Sequence, residues 1–174
     1  IEDTDLERSD PAFERDIMES LAWLGIQADE SPEKGGRYAP YRQSERIARY
    51  TPYLEKLLAD GKAFYCFHAE VELEAEKKRL MRSRQNPIHV CDGRERSLAE
   101  QQSLLSQEQK AIIRFKTPKG RLIEFSDFIR GTIVVESDLA GDFSIAKNLQ
   151  IPLYNFAVTI DDVAMEISHV IRGE

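Results

Sequence analysis

Ala111-Ile112-Ile113-Arg114-Phe115, Leu122-Ile123-Glu124-Phe125 and Ile133-Val134-Val135-Glu136 are three short runs rich in β-branched and aromatic residues, parted by Pro118, Gly120 and Gly131. Each reads as a strand that ends in a polar turn. Just upstream, Ser97 and Glu100 stand at the spacing of a reciprocal helix cap, which predicts a short helix from Leu98. Further back, Ala63 to Phe67 predicts a strand, and Val71 to about Arg84 a charged helix with Leu73 and Leu80 inward. The middle of the chain is therefore a mixed α+β segment.

Helical spacing frames that segment. From Pro11, suited to a first helical turn, Phe13, Ile17, Leu21 and Leu24 recur until Gly25 supplies a stop. Ala28 to Pro40, with Gly35-Gly36 and two prolines, is loop, and Ser44 opens a second helix through Ile47, Tyr50, Leu54 and Leu57 to Gly61. The two helices are expected to cover a sheet. Tyr154 to Ile160 stays open: its β-branched residues favour a strand, whereas Tyr154, Val158 and Asp162 would share one helical face.

With 41% hydrophobic and 32% charged residues, a chain of 174 residues can bury one moderate core, or two small ones. No stretch approaches the roughly 18 uninterrupted apolar residues of a membrane span, and no basic start leads into an apolar run. A cytoplasmic, monomeric protein without a membrane partner is expected. In a reducing compartment Cys66 and Cys91 are read as free thiols or metal ligands. The net charge of −7 argues against a generic polyanion binder, but twelve Lys or Arg against four Asp or Glu between Lys77 and Arg121 give that segment +8 and leave −15 elsewhere. The basic stretch is either a solvated face or the site of a polyanion.

Two clusters carry possible chemistry. Glu2, Asp3 and Asp5 crowd three carboxylates at the end of an apparent strand, where they could receive an ammonium group, a ribose hydroxyl or a metal; such clusters are more often turn formers or helix caps. Cys66-Phe67-His68 and His89-Val90-Cys91 are mirrored pairs that offer two sulfurs and two imidazoles to a tetrahedral ion such as zinc. One intervening residue is tighter than the usual two to four, and both cysteines could equally be small buried hydrophobes. His169 is read as a structural hydrogen-bonding residue.

Glu2-Asp3-Thr4-Asp5, Tyr41-Arg42-Gln43-Ser44-Glu45-Arg46, Tyr154-Asn155-Phe156-Ala157-Val158 with Asp161-Asp162, and His169-Val170-Ile171-Arg172-Gly173-Glu174, in that order, resemble glutamyl-tRNA synthetases. Roughly Glu70–Glu108 is less family-like, and Asn148-Leu149-Gln150 replaces a Ser-Asp-Gly turn common in relatives. The resemblance implies an α/β protein: a partial class I Rossmann-type nucleotide-binding fold (1–65 and 151–174) with an inserted α+β acceptor-stem-binding domain (66–150). It further implies that glutamate is adenylated by ATP with Mg²⁺ and passed to tRNA(Glu). Carried over by motif, Glu2 would bind the ammonium of L-glutamate, Tyr154 and Val158 would line its pocket, and Arg172 would face its carboxylate side. Some relatives have a polar Asn where Val158 stands. Asp5 and Arg8 would lie toward ATP and the tRNA terminus. Lys77, Lys78, Arg82, Arg84, Arg94 and Arg96 are candidate acceptor contacts. Some relatives hold zinc in this insert, although Glu95 stands where a later cysteine is often found.

The chemistry agrees with the residues, because an amino acid with a second carboxylate needs one anion for its ammonium and a cationic fork for an acidic end. Glutaminyl-tRNA synthetases usually carry Asp at the Glu2 position, and glutamyl-queuosine enzymes typically have a shorter insert. A non-catalytic RNA-binding module built from synthetase parts is the reading from another class. The sequence does not decide between tRNA(Glu) and tRNA(Gln). Both ends look cut from something longer. Neither a His-Ile-Gly-His-type nor a Lys-Met-Ser-Lys-Ser-type element, which stabilise charge on the ATP phosphates, occurs in the 174 residues. The chain alone is thus expected to give no glutamate-dependent exchange of pyrophosphate into ATP, with or without tRNA; robust exchange by pure material would contradict the fragment reading.

Overall fold

The computed structural model describes residues 1–4, 9–107 and 109–171, which fall in two compact units, Ile1–Tyr53 with Leu149–Glu174, and Leu54–Asn148. No helix among the described residues is long and apolar enough to cross a membrane.

In the first unit, α1 (Pro11–Trp23) starts where the Asp10 side chain accepts the Ala12 amide at 2.8 Å and proline fills the first turn. Its apolar stripe is not buried: Phe13 and Ile17 are exposed, contrary to the expectation that it covers a sheet. The reason lies in the distribution of strands. The strands β1 (Ala63–Cys66), β2 (Ile112–Phe115), β3 (Leu122–Asp127), β4 (Gly131–Glu136) and β5 (Ser144–Asn148) all belong to the second unit. Among its described residues the first unit has only the two-residue β6 (Ile151–Pro152). Residues 1–4 themselves form no strand. Ser44 lies in a 3₁₀ turn, Gln43–Glu45, and α2 begins at Ile47 and runs to Ala59.

The ambiguous segment is helical. α5 spans Tyr154–Ala164, and Phe156, Ala157 and Asp161 are its buried residues. Asp161 is the centre of the first unit. Its carboxylate accepts from Arg46 Nε at 2.7 Å, from the Tyr50 hydroxyl at 2.8 Å and from Gln43 Nε2 at 3.2 Å. Arg46, only 1% exposed, donates further to the carbonyls of Tyr38 and Pro40. Burial and the adjoining Asp161 carboxylate hold the Tyr50 phenol well above its ordinary pKa, so it remains a donor.

In the second unit β1, β2 and β5 are antiparallel neighbours in that order. Phe64, Cys66, Ile113, Ile145 and Ala146 are buried there. β5 went unread in the sequence, since Ser144-Ile145-Ala146-Lys147-Asn148 mixes small and polar residues with one β-branched one. The charged helix α3 (Glu70–Arg82) buries none of its residues. The cap predicted at Ser97 is present: Ser97 N–H donates to Glu100 Oε2 at 2.7 Å, and Glu100 N–H to Ser97 Oγ at 3.3 Å, opening α4 (Leu98–Ser106). β3 and β4 pair as a separate hairpin, with Leu122, Ile123, Phe125 and Val134 exposed.

Removing one partner of a buried ion pair leaves the other charge uncompensated at a cost of about 3–5 kcal/mol. Asp161→Ala is therefore expected to lower stability by that amount. Urea unfolding measures it; a change under about 1 kcal/mol would show that Arg46 finds other anions or water.

Candidate functional site

Cys66 closes β1, opposite Ile112 of β2, and His68 follows two residues later. The second pair, His89 and Cys91, precedes a 3₁₀ turn, Asp92–Arg94. That turn lies against β1 because residue 93 is glycine: a Cβ there would stand 2.5 Å from the Tyr65 carbonyl oxygen and 3.3 Å from Cys91 Sγ. On the same strand the Tyr65 amide donates to Gln101 Oε1 of α4 at 2.7 Å, so no β1 donor is wasted there. These close approaches bring the two pairs together.

One ligating atom from each of Cys66, His68, His89 and Cys91 lies within 4.8 Å of the others. His68 Nδ1 is 3.6 Å from both Cys66 Sγ and Cys91 Sγ, and His89 Nε2 is 3.8 Å from Cys66 Sγ. The rings stand edge to face, 4.7 Å between centroids. Bonds of about 2.0–2.3 Å from a central ion imply donor separations of about 3.3–3.8 Å in a tetrahedron, which these distances match. Both thiols are buried. The Cys91 thiol donates toward Cys66 and, with help from His68 and against the effect of burial, draws the Cys66 thiol well below the ordinary cysteine range. The same hydrogen bond, together with burial, pushes Cys91 up. A cleft of about 480 Å³, lined by His68, Glu72, Leu73, Glu76, Arg79 and His89 among others, opens beside the cluster.

The motif blocks of the first unit also meet. The Ile1 amino group donates to the Tyr41 carbonyl at 2.7 Å, and Gln43 N–H returns to the Ile1 carbonyl at 3.0 Å. Asp3 accepts from Ser44 N–H at 2.9 Å and from its hydroxyl at 2.6 Å, so this carboxylate is a cap. Glu2 is left exposed. Through Gln43 and Arg46 the second block is joined to Asp161 of the third. Tyr154, at the start of α5, is exposed and Val158 is half-buried. Asp5, Arg8 and Arg172 lie outside the described residues, and with Arg172 the expected meeting of Glu2 and Arg172 lies outside them too.

The basic candidates divide. Lys77, Lys78, Arg82 and Arg84 are exposed, the last at positive φ just beyond α3. Arg94 is engaged internally by the Asp142 carboxylate and by the Thr117 carbonyl at 3.1 Å, which removes it from the exposed set. Arg96 pairs with Asp92 one turn away. His169, exposed, bonds Ser168 Oγ at 2.9 Å. One group escaped the sequence reading altogether: Glu76 of α3, whose carboxylate is hydrogen bonded to His89 Nδ1.

The α/β architecture and these motif blocks define a class I tRNA synthetase catalytic domain. The catalytic-domain family of class I tRNA synthetases (E and Q) matches residues 1–174, and the chain belongs to that family. Among curated relatives, the glutamate–tRNA ligase of Desulfitobacterium hafniense is 50% identical over 173 residues, covering 99% of this chain and 36% of the relative. That of Carboxydothermus hydrogenoformans is 48% identical over 174 residues, again 36% of its length. The crystal structure of a glutamate tRNA ligase from Elizabethkingia meningosepticum, in complex with its amino acid, superposes with a TM-score of 0.87 at 38% identity, covering 99% of this chain and 36% of that one. The chain thus spans about a third of the length of the relatives it matches.

Gly93→Ala forces a methyl group against backbone and the Cys91 sulfur, a clash of the kind that costs about 1–3 kcal/mol. Urea unfolding should report that loss. Unchanged stability would mean that the turn is free to lift off β1.

Proposed function

We propose that this chain is the glutamate-binding and acceptor-stem-binding part of a cytosolic glutamate–tRNA ligase, which adenylates L-glutamate with ATP and Mg²⁺ and transfers it to the 3′ end of tRNA(Glu). The observation that carries this reading is the family match along all 174 residues. Residues 1–65 and 151–174 are assigned to the nucleotide-binding domain and 66–150 to the insert; the compact unit Leu54–Asn148 supports an inserted segment here, with an earlier first edge that takes in all of β1.

Within the first part Glu2 takes the ammonium of glutamate, Tyr154 and Val158 line the pocket, and Arg172 pairs with a carboxylate, with Asp5 and Arg8 toward ATP and the tRNA terminus. The exposure of Glu2 and Tyr154 leaves both free to meet a ligand. In the insert Cys66, His68, His89 and Cys91 hold zinc as a structural ion. Their donor set supports zinc, for two thiolates and two imidazoles suit a closed tetrahedral site. An ion there supplies folding energy.

Phosphate contact falls to the exposed Lys77, Lys78, Arg82 and Arg84, since positioning contacts to the nucleic-acid backbone come from accessible cations. A tRNA acceptor minihelix should bind the chain weakly, with affinity falling steeply as salt rises. Neutralising these four residues together with glutamine should weaken binding and flatten the log–log salt slope by about 0.7–0.9 for each phosphate that is no longer neutralised. Equal binding with equal slope would make the basic stretch a solubility feature and remove the acceptor-stem assignment.

A further inference from the structure

α3 carries Leu73, Glu76 and Leu80 as its half-buried stripe, and every other position of the helix is exposed. Positions three and four apart lie on one face of a helix, so a third apolar residue would ordinarily stand where Glu76 does. Instead a carboxylate occupies the inward face, 28% exposed, and is hydrogen bonded to Nδ1 of His89, itself 11% exposed. The bond fixes which imidazole nitrogen does what. With Nδ1 committed to Glu76, Nε2 is the atom turned to the sulfurs, 3.8 Å from Cys66 Sγ. His68 presents the other nitrogen, Nδ1, to both sulfurs.

We infer that Glu76 is a positioning residue for the metal centre: its carboxylate holds His89 in the tautomer that offers Nε2 to the ion, and through that bond ion binding orders α3. This rests on the zinc reading of the Cys66, His68, His89 and Cys91 cluster. Two observations carry it beyond the four ligands. Outer carboxylates on ligating histidines orient the ring and raise its basicity, and their loss typically costs about 10–100-fold in metal affinity. Moreover, a helix with no buried residue has little apolar packing to hold it, which leaves the Glu76–His89 bond as a principal tie. Because Lys77 and Lys78 follow Glu76 directly, an ordered α3 also fixes the direction in which those cations point.

The test uses the full 174-residue chain, stripped of metal and titrated with zinc against a chromophoric chelator, with amide exchange of α3 followed with and without the ion. Glu76→Ala should weaken zinc about 10–100-fold and abolish the protection of α3 that zinc gives the original chain. Glu76→Gln, whose amide oxygen can still accept from Nδ1–H, should recover most of both. Glu74→Gln, which removes the same charge from an exposed position two residues away, should change neither. If Glu76→Ala binds zinc as tightly as the original chain, or Glu74→Gln loses as much, the positioning role is wrong while the metal centre stands. If the original chain binds no zinc, the metal reading falls and takes this inference with it.

Discussion

The meeting of Cys66, His68, His89 and Cys91 constrains the second unit more than any of its apolar contacts does. Four groups that could each hydrogen bond to water are drawn within 4.8 Å of one another, with both sulfurs buried, and three of their separations, 3.6, 3.6 and 3.8 Å, are those a shared ion would set. To achieve this, the end of β1 and the turn at Asp92–Arg94 must touch, and only glycine at position 93 permits the approach. Gln101 then satisfies the Tyr65 amide, which ties α4 to the same strand. Arg94, a phosphate candidate by composition, bonds Asp142 and the Thr117 carbonyl instead. The second unit is thus organised by polar geometry around a small apolar centre of Phe64, Cys66 and Cys91, against which Ile112 packs.

A comparable polar centre serves the first unit. Asp161 gathers a guanidinium, a phenol and an amide, and Arg46 carries the attachment on to the carbonyls of the 38–40 loop. The family-like blocks are therefore more than a row of ligand contacts. Arg46 and Asp161 belong to those blocks because they hold the segments together, and Asp3 because it caps the turn at Ser44. Of the residues proposed for the glutamate pocket, Glu2 and Tyr154 are exposed and Val158 is half-buried.

Much of this was legible where local chemistry decides structure. The Ser97–Glu100 cap, the proline-led α1 and the strands at 112–115, 122–127 and 131–136 follow from short-range patterns. The mirrored Cys/His pairs were legible as a possible site, but their convergence depends on a turn far from β1 in the chain and on a glycine whose role is invisible in one dimension. β5 is hard to read because its alternation is weak, and the expected partner of α1's apolar stripe is a sheet of which the described residues of its unit supply only the two-residue β6. Glu76 could have been found: it interrupts the inward stripe set by Leu73 and Leu80, yet among Glu70, Glu72, Glu74 and Glu76 it looks like one more solvated carboxylate. Position in the helical period distinguishes it, whereas composition conceals it.

The central claim is that two sulfurs and two imidazole nitrogens from these four residues enclose one zinc ion. X-ray absorption at the zinc edge of the loaded chain tests it without any assay of tRNA or glutamate. The account requires two sulfur scatterers at about 2.3 Å and two nitrogen scatterers at about 2.0–2.1 Å, with the outer-shell pattern of imidazole. A shell of oxygen or nitrogen alone, with no sulfur, would contradict it.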